Sequence, residues 1–308
     1  MMPSSEFGAL VAPLRGELHA YCYRMLGSLH DAEDALQEAL LGAWKGMAGF
    51  AGRSSLRSWL YRIATNACLR LLEQRSARIL PYDYAPACLN NAVGPVLESV
   101  PWLEPYPVAL DATFEQRETL ELAFVAALQH LAPSQRATLI LRDVIEFSAV
   151  ETAELLGTSV PAVNSALQRA KLAVKDRVPP LSQQATLAQL GDTARQTLVR
   201  AYVDAWVQKD ASALIALLTE DARFTMPPLP TWFDGRDAVV RFFTEPVFHA
   251  PWRLEPVWAS GQLAFAAYQG PGFQLGALNV VTLRGNKIAD VTGFLDPAVH
   301  AFFSLPKR

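Results

Sequence analysis

Apolar and polar positions along the chain alternate with helical spacing in three blocks. In DAEDALQEALLGAWKGM (31–47), Leu36, Leu40 and Trp44 recur with Ala32, Ala35, Ala39 and Ala43. That apolar stripe predicts an amphipathic helix. Asp31, Asp34, Glu38 and Lys45 fall on another face, three, four and seven residues apart. A second helix is predicted from Ser54 to Gln74, burying Leu56, Leu60, Ile63, Ala67 and Leu71. It carries Arg62, Asn66 and Arg70 as a separate polar stripe, with Trp59 and Tyr61 close by. From Asp192 onward TARQTLVRAYVDAWVQKD places Leu198, Tyr202 and Trp206 four apart. Asp210 then caps a further helix. A Pro-rich loop and short runs with strand-like alternation, such as LAFAAYQG, complete the chain.

Between these blocks lies a helical pair with explicit start and stop signals. Ser148 and Glu151 have the spacing of a capping box. The helix ETAELL stops at Gly157, a residue suited to a left-handed turn. Ser159 caps the next helix, about Val160 to Lys175, with Pro161 harmless in its first turn. Ala153, Gly157 and Val163 are the small and packing residues that a helix-turn-helix places where its helices cross. Val163, Ala166, Leu167 and Ala170 are expected inside. Ala162, Asn164, Ser165, Gln168 and Arg169 face outward, followed by Lys171 and Lys175. Short polar side chains followed by cations suit base edges in a major groove flanked by phosphates.

Charge sharpens the division. Six arginines and one acid lie between Arg53 and Arg78, whereas Ile79 to Gln116 holds five acids, no Lys or Arg and six prolines. That second stretch has no sustained period and is read as an extended linker. PPLSQQATLAQLGD marks another boundary. The 308 residues, 51% hydrophobic, exclude a wholly disordered chain. A net charge of −3 excludes a uniformly basic nucleic-acid coat but not local basic patches. Cys22, Cys68 and Cys88 fit neither a disulfide framework nor a zinc cluster. With no apolar run of membrane-spanning length and no secretory pattern, a cytoplasmic protein is expected. No cofactor and no metal are expected either.

Cations, aromatic rings and an amide on one helix suit unpaired DNA. The pairing of YRMLGSLHDAEDALQEALLGAW with FAGRSSLRSWLYRIATNACLRLL resembles region 2 of the extracytoplasmic-function sigma factors. The upstream LQHLAPSQRATLILRDVIEFS and the helix-turn-helix resemble sigma region 4. The resemblance implies that Asp31, Asp34, Gln37 and Glu38 contact core RNA polymerase. It implies that Arg57, Arg62, Asn66 and Arg70 serve the minus-ten element of promoter DNA. It assigns Asn164, Ser165, Gln168, Arg169 and Lys171 to the minus-thirty-five element. Arg70 departs from the family, which often has Asp there. The linker acids Glu98, Glu104 and Asp111 would follow the nucleic-acid path through the polymerase cleft.

The C-terminal order, with MPP, then WFDGRDAV, then FF, resembles the SnoaL-like, ketosteroid-isomerase-like cone. The expected fold is thus multidomain: two all-α sigma regions followed by an α+β cone. Its divisions are region 2 at 8–78, an acidic Pro-rich linker at 79–116 and region 4 at 117–178. A second linker occupies 179–192 and the SnoaL-like domain 193–305. The expected function is a sigma factor, not an enzyme, modulated in cis by that domain and by a small-molecule ligand in its apolar pocket. The rivals are a ligand-responsive helix-turn-helix regulator and a DNA-tethered isomerase or cyclase. For the latter, Asp204, Asp221, Asp234, His249, Asp290 and Asp296 are the acid–base candidates, although no two carboxylates can be placed on converging faces.

Overall fold

A computed structural model describes residues 3–52, 54–108 and 113–305; Asp111 lies outside them. The chain forms α1 (Ser4–Leu26), α2 (Leu29–Gly46) and α3 (Leu56–Gln74). Short helices α4 (Pro81–Tyr84) and α5 (Phe114–Glu118) follow. Then come α6 (Leu122–Gln129), α7 (Pro133–Leu139), α8 (Ala149–Leu156) and α9 (Val160–Val174). After α10 (Gln183–Val207) and α11 (Ala211–Leu217) come β1 (Leu218–Thr225), β2 (Trp232–Asp234) and α12 (Arg236–Thr244). Strands β3 (Trp252–Ala259), β4 (Gln262–Gln269), β5 (Gln274–Arg284) and β6 (Lys287–Phe294) precede a final turn of helix, α13 (Pro297–His300). Among the described residues no helix is long and apolar enough to cross a membrane.

Two compact units emerge. Residues 1–78 and 123–179 make the first, all helical; 79–122 and 180–308 make the second. In the first, α2 and α3 pack on one another and on α1, burying Leu18, Leu36, Leu60 and Ala64. Gly27, at φ +68°, turns the chain from α1 into α2, and the Ser28 hydroxyl caps α2 by accepting from the Asp31 N–H at 3.2 Å. α3 also packs against α7 and α8, so the two helical blocks of this unit share one core.

The second unit is an α+β domain. Its sheet runs β2-β1-β6-β5-β4-β3, antiparallel except for the parallel pair β1–β6. Strand alternation sends Phe224, Val281, Val291 and Phe265 to the helix side. There they meet Trp206, Tyr202 and the rings of α12. Phe233 stacks on Phe242 at 4.3 Å, and Trp206 meets Phe243 at 4.8 Å and Trp252 at 5.3 Å. These contacts are ring packing of the kind found in protein cores.

Both connecting stretches differ from the spacers read in the sequence. Residues 79–108 and 113–122 belong to the second unit and lie against its other elements. Ser182 caps α10, so QQATLAQL is helical, and the break falls at Gly191, φ +75°. The physical reason is hydrogen bonding. A segment without period can satisfy its backbone through distant partners, which no local pattern reveals.

Candidate nucleic-acid interface

The exposed faces of the first unit begin on α2. Asp34, Gln37 and Glu38 are solvent-exposed, as their spacing predicts. Asp31 is not: it is 4% exposed and paired with Arg75 and Arg78. This corrects its assignment to the open acidic face. The chain after α3 folds two guanidinium groups over a carboxylate at the start of α2, which also favours the α2 N-terminus. Gln37 donates to Glu33 at 3.0 Å, and Glu38 pairs with Arg70 of α3. The residue that departs from the family at position 70 thus has a partner within region 2.

On α3, Arg62 and Asn66 are exposed, whereas Arg57 is half-buried and tied to other elements of the unit. Its guanidinium donates to Glu17 at 3.0 Å. It also lies over Tyr61 and Phe147, about 5 Å from each ring. Tyr61, expected near the DNA-facing stripe, is fully buried between Tyr21 and Phe147. Burial raises its phenol pKa above the ordinary value. Trp59 is half-buried and packs on Phe50 at 4.8 Å.

The helix-turn-helix forms from its local signals. Ser148 and Glu151 exchange hydrogen bonds of 3.2 and 2.8 Å, Gly157 adopts φ +61°, and the Ser159 hydroxyl accepts from Ala162 N–H. The bond from Ser148 holds the Glu151 carboxyl below the usual carboxylate range. Val163 and Ala170 are buried, while Ala166 and Leu167 are half-buried. Asn164, Ser165, Gln168 and Arg169 form an exposed polar face on α9, and Lys171 pairs with Asp143 at 2.8 Å. Ser148→Ala removes one N-terminal partner of α8 and is expected to lower the stability of this unit by about 1 kcal/mol. Thermal unfolding monitored by circular dichroism checks it; an unchanged midpoint would show that the cap is dispensable.

Sequence reasoning missed Arg136. It is 2% exposed and donates to the carbonyls of Met25, Gln129 and Leu131 and to the Gln129 side chain. Burial lowers its pKa to about 10. Nothing in ALQHLAPSQRA distinguishes this arginine from a surface one.

In the second unit the acid–base candidates are scattered. Asp210 and Asp296 cap α11 and α13. Asp221 pairs with Arg284 at 2.8 Å, while Asp204 and His249 are exposed. Asp234 lines an open polar recess of about 400 Å³ with Glu220, Arg236, Asp237 and Arg241. Asp290 is buried, and burial pushes its carboxyl up to about 6 against the pull of Arg223, 3.1 Å away. Its neighbours are an arginine and Thr292 rather than a second carboxylate. Among the described residues no cluster of His, Cys, Asp or Glu is arranged to hold a metal ion.

These are the features of a two-region, helix-turn-helix DNA-binding protein with an α+β companion domain. Family models agree: Sigma-70 region 2 matches residues 10–78, Sigma-70 region 4 matches 121–174 and the SnoaL-like domain matches 199–291. The chain is 41% identical to the ECF RNA polymerase sigma factor SigG of Mycobacterium tuberculosis, over 98% of this chain and 84% of that one. It is 31% identical to SigJ of the same species, over 78% of this chain and 72% of the relative. The crystal structure of SigJ shares the fold, with a TM-score of 0.62 at 24% identity, covering 99% and 100% of the two chains. The chain belongs to the ECF RNA polymerase sigma factors.

Proposed function

We propose that the protein binds core RNA polymerase through the exposed face of α2, using Asp34, Gln37 and Glu38, and directs it to promoters. Arg62 and Asn66 then serve the unpaired minus-ten strand. Asn164, Ser165, Gln168 and Arg169 read base edges upstream, with Lys171 at the phosphates. Arg57, Arg70 and Asp31 position these elements within region 2. The observation that carries the reading is the separation of faces on α2 and α9: each buries a continuous apolar stripe and exposes a polar one. Polymerase and DNA place this activity in the cytoplasm.

The C-terminal domain acts in cis on the sigma regions, and no catalytic step is assigned to it. Its scattered carboxylates argue against an isomerase or cyclase. Its ring-packed core supports a stably folded companion domain. The test is Asp34→Lys with Gln37→Lys, a pair that leaves the Glu38–Arg70 contact in place. Exposed substitutions alter stability by only about 0.5 kcal/mol, so the fold is expected to stay intact. Affinity for core polymerase in a titration is expected to fall at least tenfold, together with promoter-directed transcription. Wild-type affinity in the variant would refute this use of α2.

A further inference from the structure

The large apolar side chains of α9 turn inward with one exception. Val163 and Val174 are buried, and Val160 and Leu167 are half-buried. Leu172 is 73% exposed, more than any other large apolar residue among the described residues of the helical unit. At 3.6 residues per turn it falls about 180° away from the stripe of Val163, Ala170 and Val174. It lines up instead with Pro161, Ser165 and Gln168, at steps of four, three and four residues, down the middle of the exposed face. The core of the unit therefore makes no use of it.

The surroundings are those of a nucleic-acid surface. Asn164 and Arg169 flank the row on either side. From Asn164 to Arg177 the chain holds Arg169, Lys171, Lys175 and Arg177 against Asp176 alone. Such an excess of cations favours phosphates over an apolar protein groove. A leucine in its midst calls for an apolar group on the nucleic acid. In the major groove the C5-methyl of thymine is the apolar feature of an A·T pair, whereas a G·C pair presents donors and acceptors. Leucine set against a G·C edge would desolvate those groups without pairing them.

We infer that Leu172 reads a thymine methyl group in the upstream promoter element. The inference rests on the assignment of Ser165, Gln168 and Arg169 to base edges. A helix that lies in the groove with Ser165 and Gln168 on the bases carries the next residue of that row toward the bases as well. Leu172 lies four residues beyond Gln168, or about 6 Å along the helix axis. At about 3.4 Å per base pair, the methyl sits roughly two base pairs from the pair that Gln168 meets.

Deoxyuridine is thymidine without that methyl group, which makes the contact testable one atom at a time. The full chain with core polymerase is titrated with a promoter duplex on which it initiates. Parallel titrations use duplexes in which each thymine of the upstream element, on either strand, is replaced singly by deoxyuridine. The wild type is expected to lose about fourfold in affinity at one position, the worth of one buried methyl group. That position is expected within about three base pairs of the pair at which Gln168→Ala relaxes base preference. Leu172→Ala, an exposed change to a strong helix former, is expected to keep the wild-type circular dichroism spectrum. It is expected to bind the thymine duplex about fourfold more weakly and to ignore deoxyuridine at that position. No responsive thymine, or a response that survives in Leu172→Ala, would overturn the inference. So would a loss in Leu172→Ala that is equal on every duplex and persists in binding to core polymerase without DNA, the mark of a protein contact. Unchanged base preference in both Gln168→Ala and Arg169→Ala is a separate result: it would overturn the base-edge assignment, while the deoxyuridine response still judges Leu172.

Discussion

Replacing Arg136 by Ala is expected to destabilise the helical unit by roughly 3–5 kcal/mol. The guanidinium donates to three backbone carbonyls and one side-chain amide in the interior of the unit. Removing it strands the carbonyl of Met25, at the end of α1, together with those of Gln129 and Leu131. Each unpaired buried acceptor costs about 1–3 kcal/mol, offset in part by relaxation around the void. Arg136→Lys keeps a charge but loses the planar fork of five donors, and is expected to recover only part of the loss. Denaturant unfolding of both variants measures this. A loss below about 1 kcal/mol for the Ala variant would mean that water replaces the arginine at little cost.

The second large effect is a pH dependence centred on Glu121. Burial pushes its carboxyl up to about 7 from an ordinary 4.5, although the Gln183 and Gln184 N–H groups pull it the other way. The folded chain thus holds this proton more tightly than the unfolded one. The associated stabilisation is complete below pH 4.5 and is lost as pH rises through about 7. At full extent it amounts to about 3 kcal/mol. Asp290, raised to about 6, tilts the profile in the same direction. Glu121→Gln keeps the acceptor and removes the charge. Relative to the wild type, it is expected to be more stable at pH 8 and about equal at pH 4. Because Asp290 is common to both proteins, the difference between their profiles isolates Glu121. Parallel profiles between pH 4 and 8 would exclude the Glu121 carboxyl as their source.

Much of the candidate interface was legible because its signals are local. A capping box, a left-handed glycine and an N-terminal proline are satisfied within a few residues, so α8 and α9 follow from the spacing of Ser148, Glu151, Gly157 and Pro161. The exposure of Asp34, Gln37 and Glu38 likewise follows from the α2 period. Asp31 shares that stripe, and its burial depends on Arg75 and Arg78, 44 and 47 positions away. No helical period carries such information. Only the family resemblance points Arg57 toward DNA. Its partners, Glu17 and Phe147, are 40 and 90 positions distant.

By itself the sequence determined the helical regions, their apolar and polar faces, their caps, and the change to an α+β pattern after the second linker. These depend on hydrogen bonds and side-chain periods that close within one turn or one strand. Only the tertiary structure decided where residues 79–108, 113–122 and 180–192 belong, which charged groups are buried, and which aromatic rings pack together in the C-terminal core. The amides of Cys88, Gly94, Leu97 and Leu122 find their acceptors between 131 and 144 residues away. A Pro-rich segment free in solution would present the same local pattern, because water satisfies those amides equally well. What fastens it here are the loop entering β2 and the start of β4, which the chain has not yet made when the segment appears.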